Sequence, residues 1–126
     1  MKVKNIAIGI QSLEEGAEEF AQAIGRIQRG RKPKGRKEAV YFTSLEAMRK
    51  VLTPKRLQLL HVIRDRHPES VYGLAQLSGR DLKNVQQDVG LLARVGLVSL
   101  SRAKSRRYRL IPSVDYDRLQ LHIRVM

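Results

Sequence analysis

The chain has no cysteine and no tryptophan. Without cysteine there is no disulfide framework and no thiolate zinc site, which excludes a small secreted scaffold stapled by bridges. Aromatic residues are scarce, two Phe and four Tyr. That counts against a protein that reads unpaired RNA by stacking bases on aromatic rings. No apolar run approaches the roughly 18 residues of a membrane span. The N-terminal apolar stretch is too short, and too soon followed by acids, for a signal peptide. A cytoplasmic protein with no membrane partner is expected.

Acids are also in short supply: 12 Asp and Glu stand against 25 Lys and Arg, a net charge of +13. Four of those acids, Glu14, Glu15, Glu18 and Glu19, crowd into one segment. The remainder of the chain is therefore more basic still, and a polyanionic partner is expected. Charge alone does not separate DNA from RNA or an anionic membrane.

A catalytic constellation is missing as well. His61, His67 and His122 have no metal-like spacing, and residues 30–35 lack the preceding strand and the Lys-Ser/Thr end of a phosphate loop. No enzyme, cofactor, metal site or small-molecule sensor pocket is expected.

What is present centres on residues 70–96, SVYGLAQLSGRDLKNVQQDVGLLARVG. Ser70 can cap a helix whose apolar face is Leu74, Ala75 and Leu77, and Gly79 can end it in a left-handed conformation. Asp81 can cap a second helix, on which Leu82, Val85, Val89 and Leu92 recur at three- and four-residue spacing as one buried stripe. The other face of that helix carries Arg80, Lys83, Asn84, Gln87 and Arg94, with no carboxylate among them. Amides pair bidentately with adenine edges, and cations reach guanine or phosphate. The spacing fits a helix-turn-helix whose second helix reads bases in the major groove, or a helical hairpin with a basic solvated face. The candidate base readers are Arg80, Lys83, Asn84 and Gln87.

Leu97, Val98 and Leu100 then open a strand and residues 107–111 close one. The ribbon and its tip hold Arg102, Lys104, Arg106, Arg107 and Arg109 without an acid, as a phosphate-contacting wing would. The motifs LTPKRLQLL (residues 52–60) and SGRDLKNVQQDVGLLARVGL (78–97) resemble those of a family of predicted winged helix-turn-helix transcriptional regulators of bacteria and archaea. The family patterns are L-T-P-x-R-x-x-L-L and L-x-R-D-x-x-x-V-x-x-D-V-x-x-L-x-x-x-G-L. The second departs here at its first position, where Ser78-Gly79 stands for Leu-x. The resemblance implies a DNA-binding repressor that acts as a homodimer on double-stranded DNA and controls its own operon. Some members resemble antitoxins, so a cognate toxin bound through the flanks is the alternative. An RNA- or ribosome-binding winged helix is a third.

The flanks complete an α+β reading. Residues 2–10 alternate as a strand, and Ser12 with Glu15 forms a capping box for a helix. Leu13, Ala17, Phe20, Ile24 and Ile27 step by four, three, four and three along it. That narrow seam suits a coiled-coil interface or packing within the chain; Leu13, Phe20, Ile24 and Ile27 are the candidate dimer or partner contacts. Residues 26–37 hold seven cations and no acid, so Arg31, Lys32, Lys34, Arg36 and Lys37 form an arm for a minor groove, for phosphates, or for solvent alone.

Residues 40–42 read as a short strand. Thr43 with Glu46 starts a helix lined by Leu45, Met48, Val51 and Leu52. Thr53 and Pro54 start the next helix, which buries Leu57, Leu60 and Ile63. Residues 118–125 alternate strictly, with Leu119, Leu121, Ile123 and Val125 on a buried face. The first and last strands are expected to share a sheet, within one chain or across a dimer. The expected division is residues 1–39 as strand, helix and arm, 40–112 as the winged helix, and 113–126 as the closing strand.

Overall fold

In the computed structural model of the protein, residues 4–30, 39–103 and 109–125 are described. The elements run β1 (Asn5–Ile10), α1 (Leu13–Gln28), β2 (Ala39–Phe42), α2 (Leu45–Val51), α3 (Pro54–Arg66), α4 (Val71–Ser78), α5 (Leu82–Arg94), β3 (Ser99–Arg102), β4 (Leu110–Ser113) and β5 (Arg118–His122). The fold is mixed α and β. The chain forms two compact units, one of Met1–Met48 with Arg118–Met126 and one of Arg49–Asp117.

The first unit is built on a three-stranded sheet in the order β2-β1-β5. Both pairings of β1 are parallel, with Ile8 opposite Val40 and Ile6 opposite Leu119. Parallel neighbours need a long connection between them, and α1 supplies it between β1 and β2. The isoleucines of the central strand face one way, and Ile6 and Ile8 are buried together with Phe42. On the opposite face Gly9 lies under the Tyr41 ring, where an added Cβ would come within 2.8 Å of Cδ1 and Cε1.

The expected buried face of the last strand does not form. Leu119 is half-buried, while Leu121, Ile123 and Val125 are exposed. Pairing with β1 ends at Gly9 opposite His122, the last residue of β5. Ile123 and Val125 therefore lie past the strand.

The second unit is organised by local caps. Thr53 accepts from the Arg56 amide at the start of α3 (3.3 Å), and Ser70 from the Gly73 amide at the start of α4 (2.9 Å). Asp81 accepts from the Asn84 amide at the start of α5 (3.4 Å). Each contact satisfies an amide that has no partner within its helix. Gly79 ends α4 at φ 64°, left-handed as its sequence position predicts. Leu59, Leu60, Ile63, Leu74, Val85, Val89 and Leu92 meet in the core, and β3 and β4 close an antiparallel ribbon beside it, with Leu100 opposite Pro112.

Three apolar positions differ from the sequence reading. Leu57 and Leu77 are exposed. On α3 Leu59 joins Leu60 and Ile63 inside, and Leu57 falls at the margin of that face. On α4 Val71 takes the place given to Leu77, one step from Leu74 and Ala75. Leu45 is likewise exposed, and Met48, Val51 and Leu52 are half-buried. The cap of α2 is Ser44, whose hydroxyl accepts from the Ala47 amide at 3.0 Å. β2 runs to Phe42, so the helix begins one residue later than a Thr43 cap would place it.

The division of the chain also differs from 1–39, 40–112 and 113–126. β2 hydrogen-bonds to β1, which draws residues 39–48 into the first unit. Val114 and Tyr116 are buried in the second. The Tyr116 hydroxyl donates to the Leu97 carbonyl at 2.7 Å. Arg64 donates to the Val114 carbonyl and to Asp117, so the segment after β4 closes this core before β5 begins.

Candidate functional site

α5 is oriented by what it buries. Val85, Val89 and Leu92 lie in the core and Leu82 is half-buried. At 100° per residue this turns Lys83, Asn84 and Gln87 outward on the far side of the helix, and all three are exposed. Arg94 is exposed two turns further on the same side. The amides of Asn84 and Gln87 can each donate and accept at once, and the ammonium of Lys83 can donate. Together they form an exposed polar surface that can both donate and accept hydrogen bonds.

Arg80 does not join that surface. Its Nη2 donates to Asp88 Oδ2 at 2.8 Å, while Arg56 Nε donates to Asp88 Oδ1 at 3.0 Å. Arg56 Nη1 reaches further, to the carbonyls of Lys50 and Val51 at 2.7 and 3.1 Å, and so satisfies orphan acceptors at the end of α2. The three charged side chains are only 13–21% exposed. Two guanidinium groups on one carboxylate leave a net positive charge and a rigid clamp between α3, the α4–α5 turn and α5. Arg80 Nη1 is buried with no partner among the described residues. The base-reading role given to Arg80 is therefore corrected: Asp88 withdraws it from the exposed face.

The parts of that clamp are spelled out in the two motifs. Arg56 is the arginine of the first, and Arg80 and Asp88 are the arginine and second aspartate of the second. Arg80 is 8 residues from Asp88, near enough in sequence for that aspartate to hold it, whereas Arg56 is 32 residues away, a separation that signals no contact. Asp88 is the one carboxylate within α5, so its capture leaves the outer face of the helix free of acids.

Arg102 is exposed at the end of β3. Arg109, where the chain returns to β4, lies 4.0 Å from Glu69, a long and solvated pair. Lys104, Arg106 and Arg107 lie outside the described residues, as do Arg31, Lys32, Lys34, Arg36 and Lys37. The candidate interface residues Leu13, Phe20, Ile24 and Ile27 are all exposed, on a helix that buries nothing.

A cleft of about 610 Å³ opens between α4, α5 and the ribbon. Val71, Tyr72, Leu82, Val89, Leu100 and Leu110 give it apolar walls, with Gln86 and Arg109 as polar points. Sequence reading sees no pocket here, because the walls come from four elements that periodicity treats one at a time. No described helix is long and apolar enough to cross a membrane.

Residues 51–121 match the model of the HVO_A0114 family. No curated protein and no solved structure matches the chain.

Proposed function

The chain belongs to the HVO_A0114 family, whose model covers just over half of it, and we propose that it is a sequence-specific DNA-binding transcriptional regulator. In this reading the second unit is a winged helix-turn-helix: α4 supports, α5 enters the major groove, and the β3–β4 ribbon is the wing. Two copies act together as a repressor on a two-fold site.

The observation that carries the reading is the outer face of α5. Lys83, Asn84 and Gln87 are exposed side by side, and the helix's one carboxylate is turned inward to Arg56 and Arg80. A surface meant only for solubility mixes signs; one that meets DNA excludes carboxylates, because the duplex is a polyanion. Neutral amides beside a lysine add base discrimination to attraction. Arg102 stands on the ribbon where a phosphate contact would be made, and the net charge of +13 supplies long-range attraction.

The test is selection of binding sites from random duplexes, followed by titration of the selected and a scrambled duplex at one salt concentration. Asn84→Ala and Gln87→Ala should each lower the ratio of the two affinities roughly ten- to hundredfold, the loss of one bidentate base contact. Arg102→Ala should weaken both duplexes alike and reduce the salt slope by about one. Failure to enrich any sequence, or an unchanged ratio in both amide variants, sinks the proposal.

A further inference from the structure

We infer that α1 is a dimerisation helix, and that it pairs with α1 of a second copy running antiparallel to it. The inference names the interface that a homodimeric regulator needs, yet it is read out without DNA, so either reading can fail alone.

The helix needs a cover. It is 16 residues long, a length at which an isolated helix is marginal in water. Gly16 and Gly25 lower its propensity by about 1 kcal/mol each relative to alanine. Even so, none of its residues is buried. Leu13 is 80% exposed, Phe20 68%, Ile24 40% and Ile27 60%, although they lie along one line. The sheet of the same unit shows the same deficit: all-parallel sheets are normally covered on both faces, and here Tyr41 and Leu121 stand exposed on opposite faces.

The cover is a second α1, because the helix is complementary to itself. Its apolar line steps by four and three, the knob pattern of a coiled coil. The positions beside that line are mostly small, Gly16, Ala21 and Ala23, so two backbones can approach closely. Charge sets the direction. Glu14, Glu15, Glu18 and Glu19 occupy the first half of the helix, and Arg26 and the capping Arg29 the second. A parallel pair gathers eight carboxylates at one end. An antiparallel pair lays acid along base and also opposes the two helix dipoles.

Charge sets the register too. Two antiparallel registers interleave the apolar line. In one, Phe20 meets Ile24 of the other copy and Ala17 meets Ile27, which brings Glu19 level with Arg26 on the same flank. The alternative sets Glu19 against Glu19. The first register is the one inferred, and it leaves Leu13 outside the overlap.

The protein has no cysteine, so introduced thiols report this geometry without background. The full-length chain at micromolar concentration should scatter light as twice the 14.4 kDa of one chain. Ile24→Asp should return it to 14.4 kDa with its circular dichroism otherwise retained, and Leu13→Asp should leave the dimer in place. Under mild oxidation, Ala17→Cys with Ile27→Cys should give a covalent dimer on a non-reducing gel, while Ala17→Cys alone stays a single chain. The two thiols of one helix are about 15 Å apart along its axis and cannot bridge each other. A wild-type mass of 14.4 kDa overturns the inference, including the case where another protein covers the helix. Efficient cross-linking of Ala17→Cys alone overturns the inferred antiparallel register, and that arm is decisive even if Ile24→Asp fails to fold.

Discussion

The two units of this chain have apolar residues of the same kinds and use them differently. In the second, Leu59, Ile63, Leu74, Val85, Val89 and Leu92 are all but sealed from water. In the first, Ile6, Ile8 and Phe42 are the buried hydrophobics among the described residues, while Leu13, Phe20, Ile27, Ile123 and Val125 stand in solvent. Amphipathic spacing predicts a buried stripe in both α1 and α5, and the two helices have the same pattern strength to the eye. The difference lies in what each stripe meets. α5 has α3 and α4 beside it, linked by short connections that return the chain onto its own core. α1 is a crossover between strands of a small sheet. A periodic stripe states that a face will be covered; it does not state by which chain.

That contrast can be broken most directly by deleting equivalent bulk from each helix. Leu92→Ala should cost about 3 kcal/mol of stability through lost burial and a residual cavity. Phe20→Ala should cost almost nothing in urea titrations at a concentration low enough for the chain to be a single copy. Equal losses in the two variants would show that α1 is packed within its own chain.

Asp88→Ala comes next. It strands Arg56 and Arg80, both about one-fifth exposed, and should lower stability by about 2–3 kcal/mol. Because the clamp joins α3 to α5 within the second unit, the loss should appear in the unfolding of that unit and leave the mass in solution unchanged.

Tyr116→Phe removes the hydroxyl donated to Leu97 and should cost about 1 kcal/mol. Its pH dependence sharpens the point. Burial, aided by Asp115, pushes the Tyr116 hydroxyl well above the ordinary tyrosine value of 10.0. Above pH 10 the unfolded chain releases this proton and the folded chain keeps it, so stability falls as pH rises. The variant should show a shallower alkaline loss in denaturation curves measured from pH 9 to 11.

The smallest effect should be a gain. His67 ends α3 in the left-handed conformation at φ 47°, where a side chain is disfavoured. His67→Gly should stabilise the second unit by about 0.5–1 kcal/mol, readable as a rise of a few degrees in Tm.

Legibility in the sequence followed the range of the interactions. Ser12, Thr53, Ser70, Asp81 and Gly79 act on amides or carbonyls within a few residues, and their roles were plain from spacing. The Ser44 cap was missed by one position, because the end of β2 depends on pairing with β1. Leu57 and Leu77 were misread because an apolar residue at the margin of a face is indistinguishable from one at its centre. The outward face of α5 was legible from its period. Asp88 is near enough in sequence to hold Arg80, but the period does not decide between that contact and the exposed face, and the structure shows the contact. His67 gave no signal at all, since a left-handed end is announced by glycine and here it is not one.

The pairing of β5 with β1 has a consequence for the order in which the protein folds. Asn5 finds its partner in Arg118, nearly the whole chain away, whereas the contacts of the second unit close within residues 49–117. Strand pairing over so long a separation is slow, because the loop between the strands must close before any contact rewards it. The second unit can complete its core from shorter-range contacts in the meantime. A folding chain therefore has a finished α5 surface before it has a finished first unit.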